Sequence, residues 1–187
     1  MKVLIKLFFA AALMFAGTFT FAASPMTCET SKARVKPFGL VSKTSCTVDG
    51  VAKQEMINLN GVAVLSDKQL FQEDVNKDSS IRVYTSGAIN PSTGCAPRLY
   101  LLDMRSQPVK VFSLGVKNAC NEFHWASWGE KRSVIALKKN VSFVYENGKL
   151  TPPPPGAKLW NDIEAPHAGD GLKEEDAIPF VEELKLP

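Results

Sequence analysis

The sequence has few of the residues on which most enzyme active sites depend. Only two of its 187 residues are histidine and only four are cysteine. It has no Gly-x-Ser-x-Gly elbow, no glycine-rich phosphate loop and no dinucleotide fingerprint, which disfavours these catalytic and nucleotide-binding classes. A serine or cysteine triad also needs an imidazole base held in a fixed position, so the two histidines are the only candidates for that role.

Neither histidine lies in a setting typical of a catalytic base. His167 belongs to a segment rich in proline and glycine, which holds geometry poorly. His124 lies between Phe123 and Trp125, and side chains alternate between the two faces of a strand. If the aromatic side chains point inward, His124 points to solvent. We therefore predict a structural role for His124, and no catalytic residue.

A long apolar run occurs only near the N-terminus. Residues 1–22 contain two early lysines, an apolar run over 7–16 and small residues at Thr20 and Ala22. This tripartite pattern is typical of a secretory signal peptide cleaved after Ala22. A membrane anchor, the competing interpretation, needs about 20 apolar residues, and the polar residues from position 18 interrupt such a span. We predict a periplasmic or secreted protein with no stable membrane insertion after cleavage.

Export determines how the cysteines are interpreted, because disulfides persist in oxidising compartments. Four cysteines allow three pairings. Locality favours Cys28–Cys46 and Cys95–Cys120, each closing a loop of roughly 20 to 25 residues and contributing about 3 kcal/mol. No Cys-x-x-Cys pair or Cys/His cluster is present, which disfavours zinc. We predict no metal site and no cofactor.

Charge and composition divide the chain into parts. Residues 23–150 contain 17 Lys and Arg against 11 Asp and Glu, whereas residues 151–187 contain 3 against 8. The basic residues are scattered, which disfavours a nucleic-acid partner. Four prolines at 152–155 favour extended backbone, and the acidic segment after them either stays solvated or docks on the body. We predict a signal peptide over 1–22, a β-domain over 23–150, and a Pro-rich linker with an acidic tail over 151–187.

Short strand-like runs fill the second half of the body; 79–87 and 108–116 alternate, whereas 97–104 is a short apolar run. They cover 79–87, 97–104, 108–116, 132–139 and 140–150, and Asn147-Gly148 is a strong tight-turn signal. Turn signals about 8 to 12 residues apart are typical of an all-β sandwich or barrel. We predict a mainly β fold, namely a single antiparallel β-sandwich or barrel-like domain with disulfides. Residues 66–75 could instead form one or two turns of helix.

One motif resembles a loosely defined group of small exported bacterial β-rich proteins with no assigned activity. The pattern is Gly-x-Cys-x-Pro, then Tyr-x-x-Asp, then Gly and Cys. The matching residues are Gly94, Cys95, Pro97, Tyr100, Asp103, Gly115 and Cys120. Ala96, inserted between Cys95 and Pro97, departs from the tighter spacing of the group. The resemblance covers 58–120; it supports the Cys95–Cys120 pair and the β fold, and implies no catalytic residue.

A second segment, 123–150, is similar to one strand-turn-strand unit of a β-propeller blade. Propellers repeat at least about four blades of roughly 40 residues each. The sequence shows no repeat of this unit elsewhere, so we interpret it as a local hairpin.

The aromatic segment 121–130 contains the candidate binding residues. Trp125 and Trp128 are more typical of a core, because tryptophan buries a large apolar area. Trp128 precedes a turn and is the better candidate for an interface. Glu122 and Glu130 flank this segment, as paired carboxylates flank the substrate of a glycosidase. We predict binding residues at Trp128, Glu122 and Glu130.

A possible calcium loop begins at Asp74. Asp74, Asn76, Asp78 and Ser80 occupy alternate positions, as the early ligands of such loops do. An EF-hand also needs glycine at the sixth position and glutamate at the twelfth, where this chain has Ser79 and Thr85. The favoured interpretation is a polar turn before a strand, and calcium stays open as the alternative.

These observations together favour an exported, disulfide-stabilised and non-catalytic protein-binding domain. Its expected partner is another envelope or extracellular protein, and an inhibitor or immunity protein is one concrete form. A carbohydrate-binding protein or a weak hydrolase is the first alternative, and a structural envelope component is the second.

Overall fold

A computed structural model describes residues 24–87, 98–116, 121–138, 141–152 and 179–185. The regular elements in this part of the chain are strands, and no helix there is long and apolar enough to cross a membrane. The strands are β1 (Thr27–Val35), β2 (Gly39–Val48), β3 (Val51–Leu59), β4 (Val62–Asp67), β5 (Leu70–Val75), β6 (Ile81–Ser86), β7 (Leu99–Asp103), β8 (Lys110–Val116), β9 (Phe123–Ser127), β10 (Arg132–Leu137), β11 (Ser142–Glu146), β12 (Lys149–Thr151) and β13 (Pro179–Leu184).

The strands form three antiparallel sheets, each built on four consecutive strands. The first sheet has the order β1-β2-β3-β4, and the third has the order β12-β11-β10-β9. The central sheet has the order β13-β8-β7-β6-β5. The predicted mainly β, antiparallel, sandwich-like fold is confirmed.

Two apolar cores lie on opposite faces of the central sheet. One joins it to the first sheet and includes Ile57, Leu70 and Leu102. The other joins it to the third sheet and includes Leu101 and Phe143. Strands β7 and β8 are therefore buried on both faces, which explains the nearly continuous apolar run of β7.

Three hairpin turns share the same backbone conformation. Asp49-Gly50, Asn60-Gly61 and Asn147-Gly148 all have positive φ at both residues. Such two-residue turns match the right-handed twist of the strands they join, and Asn-Gly or Asp-Gly pairs favour them. The turn predicted at Asn147-Gly148 is confirmed. The other two turns join β2 to β3 and β3 to β4.

The structure places three segments differently from what their sequences suggest. Residues 70–75 are not helical, because β5 pairs with β6. Residues 123–151 are more than a local hairpin, because β9–β12 form the third of three four-stranded meanders. Residues 179–184 form β13 and pair with β8, so the central sheet extends past the boundary expected at 150.

A disulfide joins the edge strand β1 of the first sheet to its neighbour β2. The predicted Cys28–Cys46 bond is confirmed, and the two cysteines lie directly opposite each other on β1 and β2. Their Cα atoms are 4.1 Å apart. This separation fits a non-hydrogen-bonded antiparallel pair, at about 4.5 Å, better than a hydrogen-bonded pair, at about 5.5 Å. Cys95 and Cys120, with their predicted bond, lie outside the described residues.

Candidate functional site

The three predicted binding residues are not brought together. Glu122 lies just before β9, where its carboxylate pairs with the Lys138 ammonium at 2.5 Å. Glu130 lies beyond the other end of β9 and is exposed. A five-residue strand between them spans about 15 Å, whereas glycosidase carboxyl groups lie about 5 to 9.5 Å apart. These two glutamates therefore do not form a glycosidase pair.

Trp128 is half-buried at the edge of the core between the central and third sheets. Its indole Nε1 is buried and has no hydrogen-bond acceptor among the described residues. Upstream, His124 is exposed whereas Phe123 and Trp125 are half-buried. This alternation agrees with the outward His124 expected from the sequence. The aromatic segment is thus mainly an edge of the core.

Asp103 organises a buried polar cluster between the central and third sheets. Its carboxylate accepts hydrogen bonds from the Tyr145 hydroxyl and from the Arg105 amide at 2.9 Å. The Arg105 guanidinium adds an ion pair at 3.1 Å and lies over the Tyr145 ring. Burial, and then the hydrogen bond to Asp103, raise the pKa of Tyr145. This cluster therefore ties the end of β7 to β11.

A similar pair ties the first sheet to the central sheet. The Tyr100 hydroxyl donates to Asp67 Oδ2 at 2.7 Å. Burial and this hydrogen bond raise the pKa of Tyr100 to about 12. Each interface between sheets thus has one tyrosine that donates to a carboxylate.

We expect these two tyrosines to make the protein sensitive to alkali. A tyrosine whose pKa is raised on folding stabilises the folded state fully below the unfolded pKa of about 10. That contribution is lost as pH rises towards the folded pKa, which for Tyr100 is about 12. The unfolding free energy from urea titrations should therefore fall between about pH 10 and the folded values. The double variant Tyr100→Phe, Tyr145→Phe should fall less steeply over that range, and an unchanged slope would refute the assignment.

The calcium-like string forms a hydrogen-bonded turn before β6. Asp78 accepts from the Ser80 amide at 3.0 Å and from its hydroxyl, and the hydroxyl bond is the main cause of a lowered Asp78 pKa. Asn76 accepts from the Ile81 amide at 2.9 Å. The Asp74 carboxylate accepts from the next amide, that of Val75. No group of three or more His, Cys, Asp or Glu within the described ranges is arranged to hold a metal ion.

A groove of about 470 Å³ lies between the first sheet and the β5–β6 side of the central sheet. Lys43 and Arg82 supply its cationic side chains, whereas Lys32 lines it from β1 with its side chain on the opposite face of that strand. Tyr84 and the half-exposed Phe71 supply aromatic surface. None of the eleven lining residues is acidic. The groove therefore combines positive charge with aromatic walls, and sequence order alone does not bring these residues together.

Lys43 is held firmly at one wall of the groove. Its ammonium donates to the Leu70 carbonyl at 2.6 Å, pairs with Glu55 at 2.7 Å and lies 5.8 Å from the Phe71 ring centre. Burial alone would raise the pKa of Glu55, but hydrogen bonds from Lys43 and from the Leu70 amide outweigh it and lower that pKa. Lys43 and Glu55, which both lie on the first sheet, thus join it to β5 through their hydrogen bonds to the Leu70 backbone.

The rim of the groove is formed by β1, through residues 31–33. Eight of the nine residues of β1 are exposed. The strand lies at the end of its sheet, and no described strand pairs with its outer edge. An exposed edge of this length is a ready template for another strand.

The backbone N–H and C=O groups along β1 point alternately towards β2 and towards the open edge of the sheet. The β1–β2 register runs without a shift from Thr27 to Val35. Because Cys28 belongs to a non-hydrogen-bonded pair, so do the alternate residues Thr30, Lys32 and Arg34, and their N–H and C=O groups point outward. The backbone groups of the residues between them bond to β2. The open edge therefore has N–H and C=O groups available for a further strand at every second residue.

Comparison of this chain with family models, with curated proteins and with solved structures finds no match. The geometry of the groove and of β1 is therefore the basis for assigning a function.

Proposed function

We propose that the protein is an exported, non-catalytic binding domain that receives an extended segment of another protein along β1. The partner segment adds as a fifth strand to the first sheet, with its backbone bonded to the open edge. Main-chain hydrogen bonds supply affinity in such complexes, and pockets for alternate side chains supply specificity. The groove beside β1 is suited to be such a pocket.

The observation that carries the proposal is the exposure of β1 next to the groove. Proteins usually blunt long edge strands or cover them, because open edges promote unwanted pairing. Here the edge is nine residues long and is fixed to β2 by a disulfide near its start. A strand held in place before binding loses less conformational entropy when it pairs. The disulfide therefore favours a preformed binding edge.

The expected location of the partner follows from the sequence. A signal peptide over residues 1–22 would deliver the protein to the periplasm or outside the cell. A disulfide is compatible with such an oxidising compartment. The partner would then be an envelope or extracellular protein, and inhibition of, or immunity to, a secreted enzyme is one form of this function.

The variant Lys32→Pro should abolish binding, and Lys32→Gln should not. Proline at position 32 removes an amide that points to the open edge, and edge strands tolerate proline at such positions. Glutamine removes the same charge but keeps the amide. Both variants and the wild-type protein are immobilised and exposed to an envelope extract. The partner should be retained by the wild type and by Lys32→Gln and lost by Lys32→Pro, with equal thermal midpoints for the two variants.

Amide hydrogen exchange of the complex then tests the mode of binding. Added protection should fall on the alternate amides of Thr30, Lys32 and Arg34, because they have no strand partner before binding. The amides of Ser31 and Ala33 should already be protected in the free protein. Capture that is equal for both Lys32 variants, or new protection elsewhere than on β1, would overturn the proposal.

A further inference from the structure

We infer that the segment bound along β1 is acidic, and that one of its carboxylates enters the groove beside Arg82. This inference rests on the proposed function and adds the chemistry of the partner. Ser31 and Ala33 line the groove from β1. A strand added beside them would continue the same face, so its alternate side chains would reach the mouth of the groove.

The charge balance of the groove selects this chemistry. The Lys43 ammonium is already matched by Glu55 at 2.7 Å. The Arg82 guanidinium instead bonds to neutral acceptors, the Gln72 amide oxygen at 2.9 Å and the Ser79 carbonyl at 3.3 Å. No carboxylate in the described part of the chain lies within ion-pair distance of Arg82. Arg82 therefore gives the groove one positive charge that no described carboxylate matches.

The position of Arg82 makes this charge more effective than one on the open surface. Arg82 is half-buried, and two opposite charges attract more strongly where protein replaces water around them. Its planar guanidinium also has five donors in a fixed geometry that suits a carboxylate. Gln72 and Ser79 accept from two of those donors, and a further hydrogen bond joins the guanidinium to the Tyr84 hydroxyl, which leaves donors for a ligand. Arg82 can therefore bind an incoming carboxylate without losing its present contacts.

Aromatic surface at the groove favours an extended peptide over a small anion. Phe71 is 54% exposed and lies beside Lys43 at the edge of the central sheet. Tyr84 is buried deeper, next to Arg82 on the same strand. A glutamate could place its methylene groups on this aromatic surface and its carboxylate on Arg82. The expected ligand is thus an extended segment with acidic side chains at alternate positions.

Fluorescence anisotropy with three labelled peptides of nine residues tests the inference. The peptides alternate threonine with glutamate, with glutamine or with lysine, so that strand propensity is kept while charge changes. At low salt the glutamate peptide should bind the full chain about tenfold more tightly than the glutamine peptide. Salt at about 0.5 M should remove most of this preference.

Substitutions at Arg82 localise the preference. Arg82→Gln should remove it, and Arg82→Glu should reverse it in favour of the lysine peptide. The control Lys149→Gln deletes an exposed cation on β12, outside the groove, and should leave the preference unchanged. Thermal unfolding of each variant confirms that the fold is retained.

The outcomes separate this inference from the proposed function. Equal binding of all three peptides, lost in Lys32→Pro, would overturn the acidic preference and keep strand addition. No binding of any peptide would overturn both. Self-association of the protein that Lys32→Pro abolishes would make a second copy the occupant. Binding of the glutamate peptide only to the double variant Glu174→Gln, Glu175→Gln would show that the chain's own acidic segment is the occupant. Either of these two results overturns the inference.

Discussion

The variant Asp103→Ala should lose about 3 to 5 kcal/mol of unfolding free energy, the cost of breaking a buried charged pair on one side. Asp103 is 2% exposed and is the common acceptor for Tyr145 and Arg105. Its removal leaves the Tyr145 hydroxyl buried without its acceptor. Urea unfolding followed by tryptophan fluorescence measures the loss.

Two further variants test which contact of Asp103 stabilises the fold. Tyr145→Phe removes only the hydroxyl and should cost less, about 1 to 3 kcal/mol, because Asp103 keeps its bonds to Arg105. Arg105→Gln should cost about 1 kcal/mol or less, since that guanidinium belongs to a side chain that is 38% exposed. The expected order of losses is therefore Asp103→Ala, Tyr145→Phe, Arg105→Gln. A loss for Arg105→Gln as large as that for Asp103→Ala would show that the ion pair, rather than the buried Tyr145 contact, stabilises this region.

Strands β6–β8 and β10–β12 could be predicted because their patterns are strong. Residues 97–104 are a short apolar run, residues 108–116 alternate, and Asn147-Gly148 is a turn with one favoured geometry. Burial on both faces makes β7 and β8 unmistakably apolar. These segments show that sequence patterns predict strands well where burial in the core requires apolar side chains.

The sequence of the first sheet has no strong apolar pattern, although it contains clear signals for two of its turns. Strand β1 is exposed along eight of its nine residues, so selection for an apolar stripe is absent there. The missed signals were Asp49-Gly50 and Asn60-Gly61, each between runs that contain β-branched residues. The interpretation of 66–75 as one or two possible turns of helix was wrong for a related reason. Pairing of β5 with β6 overrides the weak local preference of that segment.

The candidate site could not be found from sequence because its parts come from distant strands. Lys32, Lys43, Phe71 and Arg82 lie on four strands that belong to two sheets. These residues come close together because the first sheet packs on the central sheet. No local sequence motif indicates that packing. The sequence instead drew attention to Trp128, Glu122 and Glu130, which are neighbours along the chain. Strand geometry separates the two glutamates to opposite ends of β9.

Deletion of residues 179–187 should lower the thermal midpoint by more than about 10 °C. The acidic tail has too little apolar material for a core of its own, which suggests that the chain up to 150 folds alone. A strand, however, needs only one neighbour, and β13 pairs with β8 at all six of its residues. Val181 packs on one core and Leu184 on the other.

The deletion acts through β8, which is buried from Val111 to Val116. Without β13, the outer edge of β8 would present open backbone groups beside apolar side chains, and such edges promote aggregation. Thermal unfolding by circular dichroism, with light scattering for aggregation, measures both effects. The control Glu182→Ala changes an exposed side chain on the same strand and should leave the midpoint within about 2 °C, because surface substitutions have small effects. If the deleted protein unfolds at the wild-type temperature and stays monomeric, β13 does not stabilise the central sheet, and the chain up to 150 folds alone.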